Sequence, residues 1–553
     1  MNKNVSSFSI LFALLALLIG TCAVVFPASA QAVPTSNGSI TVSGTVASSY
    51  DAYQIFSANV VDGDNDAKIA TDLAWANDAA RDAVLPVLHS AGMPNSQTTA
   101  QEAAEWLSAD SHLTSALSAQ LARSLQSSGA VFVPLNAGTA AELPCGYWLI
   151  VADDGVIAQD EAGTAPIMAL VGGSAVTVKP KAATPKVAKH VLEDSAAAWQ
   201  KAADATVGDD LYWRLSATVP AGLAAYDTYA VQFVDTMSAG LDPSKVAASM
   251  RVYVAAGASG GFDAVVCEGG NVSSTPAKGW TDITSQCKVS VEGDAFTVRT
   301  GDLIAALGGA DAFTSGARVV AVYNAPLNGA CNHGIAKGNP NEVYLRYPRS
   351  PFADQSGDAG FTRTPSDVAC AYTWDLALTK RGSDGDKPLA GAVLSIADDR
   401  GRTLAVDGTW DAEGKATVTT GEDGRVTISG VDSGKLMVRE LKAPKGYTAF
   451  EGMRSVTVKA GGLDVNQVAA AKPKLTITAE SPLRADSADG STGSLEASLI
   501  NTPTGTPPSI TNGGFMPSTG DMAMYAAAAA AVAGAALIVV ALLVKRGGGS
   551  HTE

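Results

Sequence analysis

The sequence predicts a mainly β chain: tandem two-sheet sandwiches, an α-helical insertion in the first module, and a membrane-spanning helix at the C-terminal end. Three observations predict it. Short runs of alternating apolar and polar residues recur between Gly- and Asp-rich turns, the pattern of half-buried strands. Two Ala-rich stretches near the N-terminus instead carry apolar residues at helical spacing. Residues 522–544 hold no charge over a length sufficient to cross ~30 Å of hydrocarbon as a helix.

In chain order, residues 31–180 form a first domain with a strand at 39–46. Helices follow over 72–88 and 99–125, the latter with Ala103, Leu107, Leu113, Leu117, Leu121 and Leu125 on one face, and strands resume at 130–134, 146–152, 165–171 and 175–178. A Pro- and Lys-rich bridge, 179–189, leads into a middle domain, 181–371, of short strands at 211–219, 228–234, 250–255, 288–291, 317–322 and 342–347. A third domain, 372–502, reads the same way and contains the turn signal Glu422-Asp423-Gly424-Arg425. Short strands at this spacing indicate immunoglobulin-like sandwiches. Residues 503–515, rich in Pro, Thr and Gly, form a linker.

The 553 residues carry 38 Lys plus Arg against 54 Asp plus Glu, a net charge of −16, with no basic run of the kind that phosphate recognition requires, so nucleic acid is not an expected partner. The histidines His89, His112, His190, His333 and His551 show no metal-ligand spacing. Asp62-Gly63-Asp64-Asn65-Asp66 opens like a calcium loop, but Ala67 and Leu73 stand where the Gly and the distal Glu belong. No nucleophile, metal or cofactor constellation is legible, and the chain is not expected to be an enzyme.

The two ends address the chain to the cell surface. Lys3, the apolar stretch 10–19 and Ala28-Ser29-Ala30 make residues 1–30 a cleavable signal peptide. At the other end, Met516-Pro517-Ser518-Thr519-Gly520 precedes the apolar span 522–544, and Lys545 and Arg546 open the basic cytoplasmic tail 545–553. This order of pentapeptide, span and basic tail resembles the LPXTG-type cell-wall sorting signal of Gram-positive bacteria, with Met516 as an unbranched apolar substitute for the usual Leu. The resemblance implies that a sortase cysteine attacks the Thr519 carbonyl and releases Gly520 onward, so the membrane helix holds the chain only transiently.

The third domain carries Arg439-Glu440-Leu441-Lys442-Ala443-Pro444-Lys445-Gly446-Tyr447. This run resembles the glutamate box of Gram-positive pilins and collagen-adhesin B-type (CnaB) domains. The resemblance implies that Lys380, in Leu376-Ala377-Leu378-Thr379-Lys380, and Asn501, in Ser498-Leu499-Ile500-Asn501, join in an intramolecular isopeptide bond promoted by Glu440, with loss of ammonia. The chemistry suits the residue types. Burial lowers a lysine pKa until the neutral amine is a usable nucleophile, and a buried carboxylic acid can hydrogen-bond the carboxamide and shuttle protons. A tie closing about 120 residues would add on the order of 4–5 kcal/mol by the chain-entropy account.

The middle domain matches the family less fully. Lys189, within 185–191, stands at the reactive lysine position, and Asp235 matches the acid. Gly338-Asn339-Pro340-Asn341-Glu342-Val343-Tyr344-Leu345-Arg346-Tyr347 also fits, but the family's following Ser-Asn-Asn-Pro is replaced by Pro348-Arg349-Ser350-Pro351. The expected acceptor is therefore absent, and Lys189 paired with Asp235 as an ion pair is the expectation. Cys267, Cys287, Cys331 and Cys370 lie in the same domain of a secreted chain, and disulfides Cys267–Cys287 and Cys331–Cys370, chosen by locality, could replace the amide. Cys145 reads as a buried small hydrophobe.

In backbone pilins a Lys after Pro between the first two domains attacks the thioester of the next subunit. Lys181 is the best match and Lys179 the runner-up, since the family's Tyr-Pro-Lys-Asn is here Lys179-Pro180-Lys181-Ala182. The resemblance as a whole implies a backbone pilin of a cell-wall-anchored fimbria that supports adhesion. Its implied partners are a pilin-class sortase, further copies of itself, peptidoglycan precursor via a housekeeping sortase, accessory pilins and a host-surface ligand. A monomeric or accessory wall-anchored adhesin is the alternative.

Overall fold

The computed structural model describes residues 36–505, apart from 45–46, 65–66, 110, 158–159, 181–183, 222, 269–270, 310–315 and 464–473. The signal peptide, Lys181, the sorting pentapeptide, the apolar span and the basic tail lie outside the described residues. The chain is mainly β, as the alternation predicts. Among the described residues no helix is long and apolar enough to cross a membrane.

The first module pairs a five-stranded sheet, built around Ser49–Asp62 and Gly146–Ala152, with a three-stranded sheet centred on Asn37–Val42. Its helical insertion differs from expectation in two places. Residues 72–75 belong to the strand Lys68–Trp75, where Trp75 pairs with Phe56, and the helix starts only at Asp78, where the Asn77 side chain accepts from Ala80 N at 2.8 Å. The expected second helix is two, Ala100–Ser108 and Ser115–Ser127. Thr99 and Glu102 cap the first reciprocally and Thr114 caps the second, and Leu113, between them, is exposed.

In the middle module two sheets face each other. One runs in the order Ala198–Gln200, Lys186–Glu193, Tyr212–Val219, Ala317–Asn324, Arg251–Ala256 and Thr281–Asp282. The other includes Asp367–Tyr372, Asn339–Pro348, Gln232–Met237 and Ala295–Arg299. Trp213, Leu215, Phe233, Phe296, Val319 and Leu345 fill the space between them. In the third module the first strand, Trp374–Gly382, lies parallel to the last, Ser494–Pro503, with Lys380 opposite Leu499 and Gly382 opposite Asn501. The facing sheet contains Val393–Ala397, Gly434–Lys442 and Arg454–Lys459.

The middle and third modules meet along their main chains. Ile335 N donates to Gly490 O at 3.1 Å and Ala336 N to Ser491 O at 3.1 Å, an approach that requires Gly334 and Gly493, because a Cβ on either collides with the other's backbone. Arg402 forks onto Asp209 at 2.6 and 2.7 Å. Asp204, 3% exposed, accepts from Trp374 Nε1 at 2.6 Å and Ser433 N at 2.9 Å.

Next to Asp204 lies Glu193, whose carboxyl is pushed up to about 7, first by burial and then by the Asp204 charge. Asp194 and Asp432 are raised by the same burial and by neighbouring carboxylates, with Arg400 opposing on Asp194. A carboxyl with a raised native pKa stabilises the fold fully below its unfolded value of about 4.3, and that contribution is lost as pH rises through the native value near 7. Unfolding midpoints should therefore fall between pH 4 and pH 8, and Glu193→Gln should raise the pH 8 value while leaving pH 4 almost unchanged. Equal pH dependence in both proteins would refute the assignment.

Candidate functional site

In the third module, the strand alternation that buries Leu376, Leu378, Leu495 and Leu499 carries two polar residues into the same interior, Lys380 at 0% and Asn501 at 3% exposed. Glu440 enters from the facing sheet. Lys380 Nζ donates to Leu499 O at 3.1 Å and stands 3.8 Å from Glu440 Oε1. Asn501 Nδ2 donates to both Glu440 oxygens, at 2.9 and 3.0 Å, and Phe450 N donates to Oε2 at 3.1 Å. One carboxyl thus touches the nitrogen that would leave and lies beside the amine that would attack. Burial lowers Lys380 to about 8, against the opposing pull of Glu440, so the neutral amine is accessible near physiological pH. The Asn501 carbonyl oxygen finds no hydrogen-bond partner among the described residues.

The middle module holds a second constellation between its sheets. Lys189, on Lys186–Glu193, is fully buried and hydrogen-bonds to Asp235, on Gln232–Met237 of the opposite sheet. The expected ion pair is present. Burial lowers Lys189 to about 8 and raises Asp235, so both partners are pushed toward their neutral forms.

The same interior contains a residue that the sequence reading did not single out as an acceptor, Asn341, also at 0% exposure. Its Nδ2 donates to the Tyr323 hydroxyl at 2.8 Å, and that hydroxyl accepts from Lys189 Nζ at 2.9 Å and donates to Asp235 Oδ2 at 3.2 Å. Asn341 Oδ1 and Asp235 Oδ1 lack hydrogen-bond partners among the described residues, the same orphaned carboxamide oxygen as at Asn501. The signal that would have found Asn341 is its phase. It falls on the face of Asn339–Pro348 that buries Val343, Leu345 and Tyr347, where a carboxamide is costly unless it has a task.

The disulfide expectation is corrected. Cys145, Cys267, Cys287, Cys331 and Cys370 are all free thiols. The expected partners pack in different clusters: Cys331 in the core of the middle module and Cys370 in that of the third, while Cys267 lies against the outer cluster around Tyr253 and Cys287 against the middle core. Burial pushes the Cys287 and Cys370 thiols up to about 11. Cys145 is the buried small residue expected of it, 2% exposed. Lys179 is exposed just past the strand Val176–Val178. Among the described residues no group of three or more His, Cys, Asp or Glu side chains could hold a metal ion.

These features define a class of β-sandwich modules whose interiors hold a lysine, an acid and an asparagine in contact across strands distant in sequence. Residues 375–472 match the family described as SpaA, prealbumin-like fold domain. A curated relative, the trypsin-resistant surface T6 protein of Streptococcus pyogenes serotype M6, is 31% identical over 134 residues, and this chain spans 23% of its length, with 23% of this chain covered. Among solved structures, the T6 backbone pilin of serotype M6 Streptococcus pyogenes aligns with a TM-score of 0.45 and 16% identity, covering 85% of this chain and 98% of that one. The full-length major pilin SpaD of Corynebacterium diphtheriae aligns at 0.41 and 17%, covering 86% and 99%.

Proposed function

We propose that this chain is the backbone subunit of a covalently polymerised fimbria on a Gram-positive cell surface, and that two of its modules are stapled by amides they form themselves. The observation that carries the reading is the repeated buried trio, Lys380–Glu440–Asn501 and Lys189–Asp235–Asn341, at two independent places in one chain. In the third module, the neutral Lys380 amine adds to Cγ of Asn501. Glu440 takes a proton from Nζ and returns one to Nδ2, which departs as ammonia, leaving an Nζ–Cγ amide.

In the middle module the products are the Lys189–Asn341 amide, ammonia and a protonated Asp235. The reaction there replaces a buried ion pair by two neutral groups, which removes a desolvation penalty of several kcal/mol per ion. The staples tie Lys186–Glu193 to Asn339–Pro348 and Trp374–Gly382 to Ser494–Pro503, so tension on the chain bypasses the residues that each tie encloses. A trypsin-resistant surface relative accords with such a body.

Assembly follows from the ends. A pilin-class sortase cleaves after Thr519, the recognition run being Met516 to Gly520, and joins Thr519 to Lys181 of the next copy, with Lys179 as the alternative amine. A housekeeping sortase then transfers the finished fibre to peptidoglycan precursor, after transient retention by the span 522–544. Accessory pilins and a host-surface ligand are its further partners. On a denaturing gel of wall extract, the protein should run as a high-mass ladder that collapses in Lys181→Ala. A single band in the unaltered strain would favour the monomeric adhesin instead.

A further inference from the structure

The middle site contains a fourth group that its counterpart in the third module lacks. Among the described residues, the contacts of Lys380, Glu440 and Asn501 include no tyrosine hydroxyl. In the middle module the Tyr323 hydroxyl is the hub. It accepts from the nitrogen that would attack, Lys189 Nζ at 2.9 Å, and from the nitrogen that would leave, Asn341 Nδ2 at 2.8 Å, and it donates to Asp235 Oδ2 at 3.2 Å. Its ring is fully buried and fixed edge-to-face on Phe296, with centroids 4.7 Å apart, and Lys189 Nζ lies 5.5 Å from its centroid.

There is also a difference in where the acid sits. Glu440 bonds the leaving Nδ2 directly, whereas the hydrogen-bonded path from Asp235 to Asn341 Nδ2 runs through the phenol. An acid that cannot return a proton to the leaving nitrogen needs an intermediary.

We propose that Tyr323 is that intermediary: its hydroxyl holds Lys189 and Asn341 in register and relays the proton that lets ammonia leave. This rests on the reading that Lys189 and Asn341 join. Asp235 first takes one proton from the Lys189 ammonium, and the neutral amine then adds to Cγ of Asn341. The addition gives Nδ2 a free lone pair, which an amide nitrogen does not have. Nζ passes its surplus proton to the phenol oxygen while the phenol passes its own to Nδ2, the Cγ–Nδ2 bond breaks, and ammonia departs. Nζ keeps one hydrogen, Asp235 keeps one proton, and Tyr323 ends as it began. Burial keeps the Tyr323 hydroxyl protonated, as a relay requires.

The test follows both amides in one molecule. Newly translated chains are quenched into denaturant at successive times and digested, and the linked peptide containing Lys189 and Asn341 is quantified against the one containing Lys380 and Asn501. Tyr323→Phe should slow the first bond roughly a hundredfold or more, within the usual range for loss of a proton-transfer group, and leave the second unchanged. Replacing Tyr323 by 3-fluorotyrosine preserves shape and hydroxyl but makes the phenol more acidic. It should change the rate of the first bond alone, and it serves if the Phe variant fails to fold. Unaltered rates in both variants would overturn the relay while leaving the site standing. Absence of the Lys189–Asn341 peptide from the unaltered protein would overturn both.

Discussion

Asn341→Ala should destabilise the middle module by about 5 kcal/mol, because on the proposed reading it removes a covalent tie that closes a loop of about 150 residues in the unfolded chain. At the scale of a module this size, the loss corresponds to a midpoint roughly 10–20 °C lower. The effect has a second component. Without an acceptor, Lys189 and Asp235 remain a buried ion pair, which costs desolvation that the amide would have removed. Lys189→Met, which deletes the amide and the ammonium together, separates the components, since it leaves Asp235 free to be neutral. Differential scanning calorimetry of the two variants reads both. If Asn341→Ala melts with the unaltered protein, Asn341 is not an acceptor.

Asn501→Ala should have a comparable effect on the third module, where the closed loop spans about 120 residues and the chain-entropy contribution is again about 5 kcal/mol. Its mechanical consequence is larger than its thermal one. Trp374–Gly382 and Ser494–Pro503 are neighbouring parallel strands at the two ends of the module, so a pull applied through the chain termini loads the Lys380–Asn501 tie first. With the amide present, single-molecule stretching should show no unfolding step for the residues between 380 and 501. The variant should release that length. Release of the full length in the unaltered protein would contradict the assignment. Glu440→Ala should reproduce the variant's behaviour with both reacting residues in place, because it removes the carboxyl that contacts Asn501 Nδ2 and lies 3.8 Å from Lys380 Nζ.

The third-module site was legible because its most specific part is local: Glu440 lies in a contiguous run, 439–447, and Lys380 and Asn501 sit at the ends of strands with clear alternation. Lys189 and Asp235 were legible for the same reason. Asn341 was not, because the family resemblance places the acceptor downstream of Tyr347, and nothing within 339–348 shows that this strand pairs with Gln232–Met237 and so lies beside the Asp235 strand. Tyr323 was hidden for a related reason: it reaches the site from Ala317–Asn324, in the sheet that carries Lys189 and opposite the one that carries Asn341.

The cysteine pairing failed on topology. Proximity in sequence says nothing about which cluster a thiol packs in, and here the expected partners pack in different ones. The helical insertion differed at its start and by a break within the expected second helix, where Asn77 and Thr114, both good N-caps, mark starts that periodicity alone had blurred.

The central claim is that the chain builds two amides from its own side chains, and intact mass measures this most directly. Each amide removes one ammonia, so the mature protein should weigh about 34 Da less than its sequence, with about 17 Da restored in Asn341→Ala and about 17 Da in Asn501→Ala after correction for the substituted side chains. A mass equal to that of the sequence would contradict the account outright.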